Sequence, residues 1–142
     1  MARGGGGGGP VRDKAAMIAG MAPRAVPGRV CFVSLCWESA ASALPQARAM
    51  LREDEGVSLI LPADHPACPP EALVLCQITL DVASALDGVG LTAAVAEVLA
   101  EAGIACNVVA GHHHDHLFVP EAAAGRALTL LQARAAREKP GG

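Results

Sequence analysis

The sequence predicts a mixed α/β fold of the ferredoxin-like, split β-α-β type, and three features carry that prediction. Leu73 to Val82 is rich in β-formers and alternates Ile78, Leu80 and Val82 against Gln77, Thr79 and Asp81, the pattern of a strand with one buried and one wetter face. Leu91, Val95, Val98, Leu99 and Ala102 then fall on a single helical stripe. Ile104 to Ala110 and His116 to Val119 flank a turn over Gly111 to Asp115 and read as a β-hairpin. A last helix opens at Pro120-Glu121 and runs to about Ala136, because proline suits the first helical position and glutamate the positive end of the helix dipole. The resulting β-α-β-β-α order lacks one strand of the split β-α-β arrangement, and a strand from the first half, expected at Val30 to Leu35, could complete the sheet.

The first half reads as helix, strand, helix, strand. Asp13 caps a short helix that reaches Met21 and ends before Pro23. Val30-Cys31-Phe32-Val33-Ser34-Leu35 follows Pro27-Gly28 as a short apolar run, expected to be a strand buried on both faces. Leu44 to Glu53 has the composition of a helix, Gly56 interrupts, and Val57 to Leu61 is the next strand, stopped by Pro62. Gly4 to Gly9 would lose maximal backbone entropy on ordering with no side chains to offset it, so residues 1–12 are expected to be a disordered tail, and polar residues 138–142 another.

A chain of 142 residues holds one ordinary domain or two very small ones, and 52% apolar residues are ample for a core. Aromatic residues are only 2%, so burial must come from Ala, Val, Leu and Ile. A net charge of -3, with eleven scattered basic residues, gives no footprint for a phosphate backbone and argues against nucleic-acid binding. Five cysteines without CxxC spacing fit a reducing compartment and argue against a disulfide framework. No stretch approaches the apolar length of a membrane span, and glycines stand where a signal peptide would have its apolar segment, so a cytoplasmic protein is expected.

Catalytic patterns are absent: there is no GxSxG, HExxH, Walker A or helix-leading GxGxxG. Cys106 and His114 could be paired as nucleophile and base, but a cysteine inside Ile104-Ala105-Cys106-Asn107-Val108 suits a packed strand better, and no enzyme is expected. Trp37 after the first strand suits a core or interface anchor. The turn from Ser84 to Gly90 leads into a helix starting near Val89, where unsatisfied backbone N–H groups and the dipole favour a carboxylate guest; Gly90 permits close approach and Thr92 adds a hydroxyl. The alternative is that Asp87 is a plain N-cap and Gly88 and Gly90 serve the turn. Asn107, His114 and Asp115 could hold the rest of a ligand, or only satisfy neighbouring backbone. His112-His113-His114-Asp115-His116 carries metal-ligating groups, yet strand alternation splits them between faces and no second cluster accompanies them.

Ile78-Thr79-Leu80-Asp81-Val82, Ser84, Leu86, Val89 to Val95, Ala100 to Ile104, Cys106 to Gly111 and His114 to Pro120 together resemble bacterial ACT-domain proteins, a family once catalogued as a domain of unknown function. Gly28, Val30-Cys31-Phe32 and Glu55 to Pro62 are similar more loosely. The resemblance implies two ACT-like units with antiparallel sheets and helices on one face, residues 13–70 and 71–137, packed edge to edge. It also implies regulatory binding of a small ligand, usually an amino acid, at sites near an interface, so a homodimer is expected with it; the residues themselves give no expectation of catalysis, cofactor, metal, nucleic-acid or membrane partners. The candidate ligand-binding set is Ser84, Leu86, Asp87, Gly88, Val89, Gly90, Leu91, Thr92, Asn107, His114 and Asp115. Departures from the family pattern are Ala83 and Ala85 beside Ser84, and Leu75-Cys76-Gln77 in place of an aromatic-basic-Trp run. The alternatives are an interaction module that assembles through its sheets without a ligand, and a metal-binding histidine cluster.

Overall fold

The computed structural model describes residues 9–139, so of the tails expected over residues 1–12 and 138–142 the parts 1–8 and 140–142 lie outside the described residues. Helix α1 (Lys14–Ala19) is capped by Asp13, whose carboxylate accepts from the Ala16 amide at 2.9 Å. There follow β1 (Pro23–Leu35), α2 (Trp37–Ala43), β2 (Ala49–Glu53), β3 (Gly56–Pro62), β4 (Leu75–Leu80), α3 (Leu91–Glu101), β5 (Asn107–Ala110), β6 (Asp115–Pro120) and α4 (Ala124–Glu138). The six strands form one sheet in the order β2-β3-β1-β4-β6-β5, and every pair is antiparallel. It is built from two β-α-β-β units, β1-α2-β2-β3 and β4-α3-β5-β6, whose first strands, β1 and β4, lie side by side at the centre.

Several expectations need correction. The helix read over Leu44 to Glu53 is instead a 3-10 turn at Leu44–Gln46 followed by the edge strand β2, while the helix of this segment lies earlier, at Trp37–Ala43. Pairing of β2 with β3 outweighs the helix propensity of Ala49-Met50-Leu51-Arg52-Glu53. The strand that completes the second unit is the leading part of β1, where Pro23 to Val26 pair with Leu80 to Gln77; Val30 to Leu35 pair with β3. That later segment is not buried on both faces, since Phe32 is 42% exposed while Cys31 is 1% exposed.

Gln77 and Thr79, expected on a wetter face, are both buried. The helical face of the sheet packs Ile78, Leu80, Leu117 and Val119 against Met17, Leu91, Val95, Leu99 and Leu131, with Cys31, Val33, Leu59 and Leu61 packing against Ala40 and Ala43 of α2. On the opposite face Val30, Ile60, Leu75 and Phe118 form a separate cluster joined by Ala49 and Val109, one from each edge strand. Contact of both edges with one cluster means that the sheet curls over this face, which encloses Gln77 and Thr79.

A further correction is a disulfide between Cys31 and Cys68, with Cα atoms 6.6 Å apart. After β3 the chain turns back on itself, the Ala63 amide donating to Arg29 O and the Cys68 amide to His65 O, both at 2.9 Å, which carries Cys68 onto the α2 cluster. Spacing along the chain could not show this approach. Trp37 is half exposed, with the Arg52 guanidinium 4.8 Å over its ring, so it is no core residue. Among the described residues no helix is long and apolar enough to cross a membrane.

Candidate functional site

Helix α3 begins at an N-cap that no side chain occupies. Gly90 is that residue, at φ 111°, and Asp87, the alternative cap, ion-pairs instead with Arg12 at 2.9 Å, both side chains being well exposed. The first-turn N–H groups of an α-helix have no intrahelical acceptor. Here they face a recess of about 310 Å³ lined by Ser84, Leu86, Gly88, Val89, Gly90, Leu91 and Thr92, closed from below by Met17 and across the gap by Ala110, Gly111 and Asp115. The loop of one unit's helix thus meets the tip of the β5–β6 hairpin of the same unit.

Close packing at the two glycines explains their presence. A Cβ on Gly88 would lie 3.0 Å from the Met17 sulfur and 3.1 Å from Ala85 O; one on Gly90 would lie 2.7 Å from Lys14 Cδ, in a conformation that side-chain-bearing residues avoid. The N-terminal segment also holds the loop directly. Val11 donates to Ala83 O at 2.9 Å and accepts from the Ala85 amide at 2.8 Å, so the chain ahead of α1, which the sequence placed in a tail, pairs with the loop.

The recess has opposite electrostatic ends. The α3 terminus contributes partial positive charge and free N–H donors, favouring an anion. Asp115, half-buried, lies opposite; burial pushes its pKa up, opposed by His116 and then His114. Of the other candidates, His114 does not line the recess but braces the loop, its Nδ1 3.4 Å from Val82 O. Asn107 lies at the other end of β5, paired with Phe118, and is exposed, so the structure does not bring it to the recess.

Met17, Ala110 and Gly111 line the recess without having been singled out from the sequence. Met17 had only the signature of a buried helix position, and nothing in its spacing links α1 to the loop of α3. Cys106 packs beside the helical core, and burial raises its thiol pKa, the opposite of nucleophile activation. Among the described residues no group of three His, Cys, Asp or Glu side chains is placed to hold a metal ion. The His112 and His113 rings meet edge to face at 4.9 Å.

An antiparallel sheet of two β-α-β-β units with helices on one face defines a ferredoxin-like α/β protein. The chain belongs to the ACT-domain family: residues 75–133 match the ACT domain. A solved Vibrio cholerae protein of unknown function, described as a possible transport protein, is 36% identical, with TM-score 0.71 over 83% of this chain and 93% of that one. The α and β subunits of an aspartokinase share the fold at 12% identity, with TM-score 0.56 over 81% of this chain and 97% of that one. Escherichia coli aspartokinase III, solved with aspartate and ADP, shares it at 14% identity and TM-score 0.53, over 80% of this chain and 32% of that one. No curated protein matches the chain. ACT domains as a class are regulatory modules that bind small molecules.

Proposed function

We propose that the protein is a non-catalytic amino-acid sensor whose ligand sits in the recess at the α3 N-terminus. One observation carries the reading: an uncapped helix terminus and a carboxylate face each other across about 310 Å³. A free amino acid is a zwitterion. Its carboxylate would take the N–H groups of Leu91 and Thr92 and the Thr92 hydroxyl, and its ammonium the Asp115 carboxylate.

Sensing needs two states that the ligand distinguishes, since a ligand shifts an equilibrium only by its difference in affinity. Leu86 and Val89, 72% and 79% exposed, form an apolar rim around the recess. In this reading a second copy covers that rim, the working unit is a homodimer, and the ligand changes its arrangement. The proposed compartment is the cytoplasm; Cys36, Cys76 and Cys106 are free thiols, and the burial of Cys31 limits access of reductants to the disulfide.

The test is a thermal-shift screen against the twenty amino acids. A ligand at 100 times its dissociation constant stabilises by about 2.7 kcal/mol, or roughly 8 °C for a chain of this size. A shift with one or two amino acids, lost in Asp115→Asn, supports the sensor. A flat screen at millimolar concentration sinks it and leaves the second reading favoured by the exposed rim, an assembly module without a ligand.

A further inference from the structure

The face of the sheet opposite the helices carries a second recess built around Arg48, just ahead of β2. The Arg48 guanidinium donates to Gln77 Oε1 at 2.8 Å and to Pro27 O at 3.0 Å. Its other N–H groups remain available, and among the described residues no carboxylate pairs with it. The backbone is shaped to admit it. The register of β1 on β4 shifts between Val26 and Val30, and Gly28 at φ +102° passes so close that a Cβ there would lie 2.9 Å from Arg48 Nη2. A bulge and a positive-φ glycine around an unpaired cation are placed features of the kind found beside binding sites.

Gln77 is fixed in turn. Its amide donates to Thr79 Oγ1 at 3.0 Å, and the Thr79 hydroxyl, its own lone pair so used, can pass its proton on to His116 Nδ1 at 2.9 Å, with the Gln77 amide nitrogen 3.2 Å from the same atom. Nδ1 is therefore the acceptor and Nε2 carries the proton. Burial, and then His114, lower the His116 pKa and keep the ring neutral, which leaves Arg48 as the formal charge of this polar end.

Beside Arg48 lies a recess of about 290 Å³ against Val26, Val109 and Phe118. Ala49 and Val109 also line an adjoining trough of about 390 Å³ over Phe32, Leu51 and Ile60. Phe32 and Leu51 are 42% and 64% exposed. Glu53, which accepts from the Ser58 hydroxyl, stands at the far end and would repel a second anionic group there. We infer that this trough binds a monocarboxylate with an apolar chain, its carboxylate on Arg48 and its chain along Ala49 and Val109 toward Phe32. This site lies on the other face of the sheet from the recess at α3 and does not depend on what that recess holds.

The test titrates the full chain with sodium octanoate by calorimetry, with acetate and 1-octanol as head-only and chain-only probes and sedimentation to follow assembly. Octanoate is expected to bind saturably, one per chain, with both partial probes at least roughly tenfold weaker, since each forgoes either the charge-assisted bonds or the apolar burial. Arg48→Met should weaken octanoate roughly tenfold or more. Because that change also strips Gln77 of a partner, Leu51→Glu at an exposed position serves as the second variant, and should weaken octanoate while leaving the melting temperature within a few degrees. The inference is overturned if octanoate gives no saturable signal at millimolar concentration, if both variants bind like the parent, or if 1-octanol binds as well as octanoate. It is also overturned if sedimentation shows a dimer that Leu51→Glu dissociates and octanoate leaves unchanged, because the trough then belongs to a second copy.

Discussion

Replacing Gly90 by alanine separates what the α3 terminus does for folding from what it does for binding. Gly90 sits at φ 111° and ψ -18°, where a residue with a Cβ is strained by about 1–3 kcal/mol. The added Cβ would also meet Lys14 Cδ at 2.7 Å, but that is the middle of a flexible side chain on α1 and can move aside. At roughly 3 °C per kcal/mol for a chain of this size, the melting temperature should fall by about 3–9 °C. The control is Gly103→Ala, at the other end of α3, where φ is +73° and nothing lies within 4 Å of the added atom. Its cost is backbone strain alone, about 1–2 kcal/mol, or roughly 3–6 °C.

The two variants are thus similar in stability and differ in place. Gly90→Ala puts a methyl group at the mouth of the N–H donors and should weaken amino-acid binding by roughly tenfold, which is about 1.4 kcal/mol. Gly103→Ala should leave it unchanged. Calorimetric melting and titration with the amino acid that gives the largest thermal shift read both quantities. If Gly90→Ala melts lower yet binds within twofold of the parent, the ligand does not approach the α3 terminus and the placement of the site is wrong.

Three further outcomes follow from the same geometry. Cys31 and Cys68 are separated by 37 residues, and closing a loop of that length stabilises by about 4 kcal/mol in the chain-entropy account; Cys68→Ala should lower the urea midpoint under oxidising conditions, and an equal midpoint would show that the pair does not bond. Asp87→Ala removes an exposed ion pair with Arg12, for which less than about 1 kcal/mol is expected; a loss above about 2 kcal/mol in chemical denaturation would mean that the N-terminal segment depends on that pair rather than on the backbone bonds of Val11. Asp115 has its pKa raised by burial, and pairing with an ammonium favours its ionised form, so amino-acid affinity should fall as pH drops through that raised value; titrations across mildly acidic pH that show constant affinity would remove Asp115 from the site.

The second half was legible because its signals are local. The stripe through Leu91, Val95 and Leu99 is the face that α3 buries, Gly103 adopts the positive φ its place after the helix suggested, and the Gly111–Asp115 turn joins β5 to β6. The first half was misread where tertiary pairing overrides propensity. Residues 49–53 favour a helix in isolation, yet become an edge strand because β3 offers them a partner. Pro23 and Pro27 disguised the start of β1, since proline argues against a strand unless it stands first or in a bulge, as these two do. For the candidate site, the loop from Ser84 to Thr92 was readable from helix-terminus chemistry, but Met17 and Val11 reach it only through folding. Gln77 and Thr79 share one face of β4, strand pairing sets His116 beside Thr79, and Arg48 reaches Gln77 from a separate stretch ahead of β2, an approach that no spacing along the chain announces.

Adjacent residues of β6 turn to opposite faces, and this gives stability a particular dependence on pH. Asp115 faces the recess at α3 and His116 the network on the other side, and burial acts on both by favouring the neutral form. For Asp115 the folded pKa lies above the unfolded one; the associated stability is present below the ordinary aspartate range and is lost as pH rises to the raised value. For His116 the folded pKa is depressed, with His114 and Arg24 adding to the effect of burial and Asp115 and Asp81 opposing it. Its stability is full above the ordinary histidine range and is lost as pH falls toward the lowered value. Protonation would also turn Nδ1 from acceptor to donor beside the Gln77 amide nitrogen, which can only donate. Acidification from neutral pH should therefore first destabilise the protein through His116, with Asp115 recovering part of the loss at lower pH. His116→Asn keeps an acceptor near the Nδ1 position and removes the titration, so the first limb should vanish from a plot of melting temperature against pH. An unchanged limb in that variant would assign the acid sensitivity elsewhere and leave the imidazole a bystander in its own network.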